Sequence, residues 1–123
     1  MLDKGRADIA GTIGEFKYDA PIDQHIINFL GLDVGALRKQ LATGQGDGEI
    51  LAWVMANAKH QRSAWEIEQW SEFMLRRAPG SDAETLAFVA ERLAKFGAQM
   101  REDIQTWYDL IDLDDHITFH GKP

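Results

Sequence analysis

Two copies of one helix-start signature, Ser63-Ala-Trp-Glu66 and Ser81-Asp-Ala-Glu84, constrain the fold of this chain more than any other feature. In such a capping box the serine oxygen accepts from a free backbone N–H, while the glutamate reaches back to another. Each box opens onto apolar residues at helical spacing. The first predicts a helix through about Arg77, with Ile67, Trp70, Phe73 and Met74 inward, broken by Pro79-Gly80. The second predicts a helix to about Phe96, with Leu86, Val89, Leu93 and Phe96 inward and Gly97 at its end.

The rest of the chain is punctuated in the same way. Pro21 suits a first helical position, and Ile22, Ile26, Ile27, Phe29 and Leu30 make an apolar face that stops at Gly31. Asp33 can cap Val34 to Thr43, whose stripe is Val34, Leu37 and Leu41. Asp47 can cap Glu49 to Lys59, where Ile50, Leu51, Val54, Met55 and Ala58 keep the 3.6-residue period. A last helix is expected near Asp103 to Leu113, carrying Ile104, Trp107, Leu110 and Ile111. Only Glu15-Phe-Lys-Tyr18 and Ile117-Thr-Phe119 alternate as strands do, and they are candidates for one short two-stranded β ribbon. The expected architecture is all-α: a compact single-domain bundle of about six helices over residues 1–123.

A chain of 123 residues can bury enough surface to fold without disulfides or metal. It has no cysteine, which removes thiolate nucleophiles and thiolate metal sites and fits a reducing compartment. The net charge is −7, and the basic residues are scattered in pairs such as Arg38-Lys39 and Arg76-Arg77. Nucleic-acid backbones and anionic membranes are held by clustered Lys and Arg, so neither is an expected partner. Neither a signal peptide nor a run of ~18 apolar residues is visible. The expected location is the cytoplasm.

The densest group of reactive side chains lies in Gly11–Asp33. Glu15, Tyr18, Asp19, Asp23 and His25 surround the start of the Pro21 helix. A helix N-terminus attracts anionic groups, and His25 could move a proton with Glu15 or Asp23 orienting it and Tyr18 donating to a substrate. The structural alternative is that Asp19 or Asp23 satisfies the helix start and His25 is tied to the backbone. Convergence of Glu15, Tyr18 and His25 on one pocket is the condition for chemistry there.

His116-Ile-Thr-Phe-His120, beside Asp112, Asp114 and Asp115, could meet a metal ion, but Ile-Thr-Phe favours an extended chain, and no metal or cofactor is expected. Acids crowd Glu102 to Asp115 with no Lys or Arg among them, as on a solvated helix edge or a face for a basic partner. Of four tryptophans, Trp70 and Trp107 fall on apolar stripes, whereas Trp53 and Trp65 fall off theirs and are candidates for an interface. Walker, G-x-G-x-x-G, G-x-S-x-G and H-E-x-x-H motifs are absent.

The runs Met1-Leu-Asp-Lys-Gly-Arg-Ala7, Gly11-Thr-Ile-Gly-Glu-Phe-Lys-Tyr18, Pro21-Ile-Asp-Gln24, Phe29-Leu-Gly-Leu-Asp33, Glu49-Ile-Leu-Ala-Trp-Val54 and Asp103–Asp115 resemble the bacterial domain of unknown function 5069. The likeness covers nearly the whole chain and is weakest between Lys59 and Met100. It implies one small soluble domain, here without a short N-terminal segment that similar sequences carry. It implies no activity and no catalytic residue. The leading functional expectation is a non-enzymatic binding or protein-interaction domain using Trp53, Trp65 and the acidic C-terminal face, with a homodimer among the options. The alternative is a small acid–base enzyme acting on an unidentified metabolite at Gly11–Asp33.

Overall fold

A computed structural model describes residues 1–122. Its elements are seven helices: α1 (Leu2–Ile9), α2 (Asp23–Leu30), α3 (Val34–Leu41), α4 (Asp47–Asn57), α5 (Ala64–Leu75), α6 (Ala83–Lys95) and α7 (Trp107–Thr118). The all-α expectation holds. The chain divides into two compact units, Met1–Ser63 and the residues from Ala64 onward.

In the first unit, α1 packs on α3 and α3 on α4. Ile27, Leu37, Leu41, Ile50 and Val54 form its buried core, with Leu2, Tyr18, Leu30, Val34 and Trp53 packed around them. The expected stripes meet the core at Ile27, Leu37, Leu41, Ile50 and Val54. On α4, however, Leu51 and Met55, expected on the stripe, are 60% and 41% exposed, while Trp53, expected off it, packs on the core. Local chemistry fixes the helix ends. Asp33 accepts from Ala36 N at 2.6 Å as the cap of α3. Gly31 ends α2 with φ +63°, while Leu32 N reaches back to Ile27 O at 3.0 Å. A Cβ at Gly31 would lie 2.7 Å from the His60 ring, whose backbone N–H bonds Leu30 O.

The second unit gathers Phe96, Ala98, Leu110 and Leu113 into a smaller core, flanked by Val89, Leu93, Ile104, Trp107 and Ile117. The end of α5 is tied in where Trp107 N donates to Arg77 O at 3.0 Å. The rings of Phe88 and Trp107 sit 6.2 Å apart.

Four expectations need correction. Helix α1 was not foreseen, because Gly5 interrupts it and only Leu2 and Ile9 mark an apolar side. The caps of α4 and α6 are Gly46 and Asp82, each one residue away from the expected position: Glu49 Oε2 accepts from Gly46 N, and Asp82 Oδ1 from Thr85 N. Helix α7 starts at Trp107, because Thr106 and Asp109 cap each other reciprocally in a Thr-x-x-Asp box. No strand occurs among the described residues, so the ribbon is not formed. Residues 15–18 lie in a turn-rich loop, and Ile117 continues α7 to pack on the second core. An isolated two-stranded ribbon is marginal in water, and a capped helix with an apolar face outcompetes it.

Candidate functional site

The Gly11–Asp33 segment is a loop up to residue 22 followed by α2, and it closes onto α1. Asp23, at the start of α2, is 6% exposed. Its Oδ2 accepts from Ala20 N at 2.9 Å and lies 2.6 Å from Lys4 Nζ. Asp23 N in turn donates to Ala20 O at 2.8 Å. One carboxylate therefore satisfies the loop backbone, complements the positive end of α2 and pairs with a lysine from α1.

Tyr18 sits beside this pair. Its ring packs at Gly5, where a Cβ would come within 2.9 Å of Tyr18 Cε2 and 2.6 Å of Leu41 Cδ1. Its hydroxyl donates to Val34 O at 3.4 Å. Burial, and then the charges of Asp19 and Asp23, push the Tyr18 phenol above its ordinary range, so the group stays neutral. Asp19 holds a left-handed backbone (φ 62°) and accepts from the Gln24 amide.

The structure thus brings Tyr18 and Asp23 together, with Lys4 as a third member. Glu15 is exposed on the loop, and His25 is half-buried in the first turn of α2. Lys4 was not singled out from the sequence. Its only signal was the pair Lys4/Arg6 at the head of a chain of net negative charge. Arg6 and Arg38 behave alike: Arg6 bonds Asp3 and Asp47, and Arg38 bonds Asp8 at 2.8 Å. Such pairs tie α1 to α3 and α4.

The two interface candidates part company. Trp53 is half-buried against the first core, whereas Trp65 is 67% exposed on the first turn of α5. Phe73 and Leu86, expected inward, are 61% and 53% exposed. On α5 the buried residue is Met74, and α6 has no buried residue at all. Beside Phe73 runs an open groove of about 730 Å³ lined by Gln69, Glu72, Arg76, Arg77 and Ala78.

A second hollow, of about 320 Å³, lies along α7 between Arg101, Asp103, Asp109, Asp112, His116 and Lys122. Its charges are mostly committed. Arg101 grips Asp103 through two bonds of 2.6 and 2.7 Å and holds its carboxyl down at about 2. The Thr106 hydroxyl and nearby backbone N–H groups keep Asp109 below the usual carboxylate range. His116 Nε2 lies 3.0 Å from Lys122 O, and His120 is exposed beyond the end of α7. Among the described residues there is no group of three or more His, Asp or Glu able to hold a metal ion.

Among these residues, no helix is long and apolar enough to cross a membrane. No curated protein matches the chain. The family model of the domain of unknown function DUF5069 matches residues 1–117, and the chain belongs to that family.

Proposed function

We propose that this protein is a cytoplasmic protein-interaction domain and that α5 carries its contact surface. One observation supports the reading: Trp65 and Phe73 are exposed on a helix that buries only Met74. At 100° per residue they lie about 80° apart, on the side away from Met74. Large aromatics that leave the solvent only on contact are typical anchors of protein interfaces. The open groove beside Phe73 adds a concave element to this face.

The alternative, an acid–base enzyme at Gly11–Asp33, draws less support. Asp23 is engaged with Lys4 and Ala20, Tyr18 is a neutral packing group, and Glu15 lies out in the loop.

A binding face contributes little to the fold of the single chain that carries it. At a protein concentration low enough that the parent chain does not self-associate, Trp65→Ser and Phe73→Ser are therefore expected to leave stability within about 0.5 kcal/mol of the parent chain in urea unfolding. A loss of 2 kcal/mol or more, by the ~2–5 kcal/mol rule for core truncations, would make both residues packing groups and remove the interaction reading.

A further inference from the structure

We infer that the α5 face is covered by a second copy of the chain, the two α5 helices packing antiparallel about a two-fold axis between Gln69 and Glu72. The inference rests on the reading of α5 as a contact surface and names its occupant. Trp65, Gln69, Glu72 and Arg76 are all exposed. Their steps of four, three and four residues give the seam by which one helix packs lengthwise on another.

The seam is complementary to itself in one direction only. An antiparallel pair places Trp65 of one copy over the guanidinium of Arg76 of the other, and Gln69 beside Glu72. A cation over an indole face and an amide beside a carboxylate are both favourable. A parallel pair would set Glu72 against Glu72 and Arg76 against Arg76. The groove lined by Gln69, Glu72, Phe73 and Arg76 lies where the second indole would arrive, and its volume of about 730 Å³ admits one. Arg76, just past the end of α5, presently bonds Glu72 of its own chain at 3.0 Å, with the arginine side chain 82% exposed. Exposed pairs of this kind are weak and exchange partners readily. Two-fold interfaces use one patch twice, so a self-complementary stripe is sufficient.

The absence of cysteine in the chain makes the test direct. Sedimentation equilibrium of the full chain is expected to give twice the 13.9 kDa monomer mass, and Trp65→Ser and Arg76→Glu are each expected to give folded monomers by circular dichroism. With a short bis-maleimide, Gln69→Cys, near the axis, is expected to cross-link. Ala78→Cys, beyond the end of α5, is expected not to, because antiparallel packing carries the two copies' C-terminal ends apart, by about 14 Å along the axis already at Leu75. A dimer that survives Trp65→Ser, or one that cross-links through Ala78→Cys, would overturn the inference. So would a monomer at every concentration, and fluorotryptophan labelling then separates two outcomes. A solvent-exposed Trp65 resonance would refute the second copy alone, whereas a solvent-protected one would also refute α5 as a contact surface.

Discussion

The two units use similar helices in opposite ways. In the first, seven Lys and Arg stand against eight Asp and Glu, and many of them pair across helices: Lys4 with Asp23, Arg6 with Asp47, Arg38 with Asp8. In the second, six bases stand against twelve acids, and the ion pairs seen are local, Arg76 with Glu72 and Arg101 with Asp103. The enclosed apolar residues follow a similar division. Leu37 and Ile50 are fully enclosed in the first unit, although Phe16, Leu51 and Met55 there are exposed. Helices α5 and α6 enclose none so fully and leave Trp65, Phe73, Leu86 and Phe88 in solvent. A chain that closes its core with interhelix charge pairs uses its residues on itself. Apolar helices left uncovered are available to something else.

Core truncation should separate the units most sharply. Ile50→Ala removes a side chain with no exposure and is expected to cost about 2–5 kcal/mol, whereas Leu86→Ala should stay within about 0.5 kcal/mol. Equal losses in urea unfolding would mean that α6 is as closely packed as α4. Lys4→Ala comes next. It strands a carboxylate whose side chain is only 7% exposed, and about 2–3 kcal/mol is expected, less than for a fully buried pair because Lys4 itself reaches water. A neutral result would show that Ala20 N and solvent suffice for Asp23.

Smaller still is the cap of α7. Thr106→Ala should cost about 1 kcal/mol and fray the start of that helix, which hydrogen exchange at Asp109 and Leu110 would register. Asp109→Ala would sharpen this further by removing the reciprocal half.

The gentlest probe is pH, and here the two units should yield at opposite ends. The folded values of Asp82, Asp103 and Asp109 are depressed, by Thr85 N–H, Arg101 and the Thr106 hydroxyl respectively. Their contribution is complete above the ordinary carboxylate range near about 4 and is lost as pH falls toward 2. The folded value of Tyr18 is raised, so its contribution is complete below about 10 and is lost as pH rises through the elevated value. Fluorotryptophan resonances report each side, Trp53 in the first unit and Trp107 in the second. Broadening of Trp107 first in acid and of Trp53 first in alkali is expected, and the reverse order would break the comparison.

Helix character was legible in the sequence wherever apolar spacing and a cap agreed, as at Asp33–Leu41 and Ile26–Gly31. It was not legible in α1, whose Gly5 looks like a helix breaker until Leu41 and Tyr18 are seen against it. Part of the candidate site was legible too. Asp19 or Asp23 was the expected helix-start acid in the structural alternative, and Asp23 is the one that accepts from Ala20 N. Its second role depends on Lys4, nineteen residues earlier, and no local pattern encodes that meeting.

By itself, then, the sequence determined an all-α chain, most of its helix boundaries and the buried positions of α2 and α3, because spacing and capping act within a few residues. Only the tertiary structure decided that Asp23 and Tyr18 are internal fasteners, that Trp53 is packed while Trp65 is not, and that Phe73 and Leu86 face water. Those outcomes depend on which surfaces the distant parts of the chain cover. A stripe of apolar residues records that a helix has a side to bury, and the partner for that side is chosen elsewhere in the fold or beyond it.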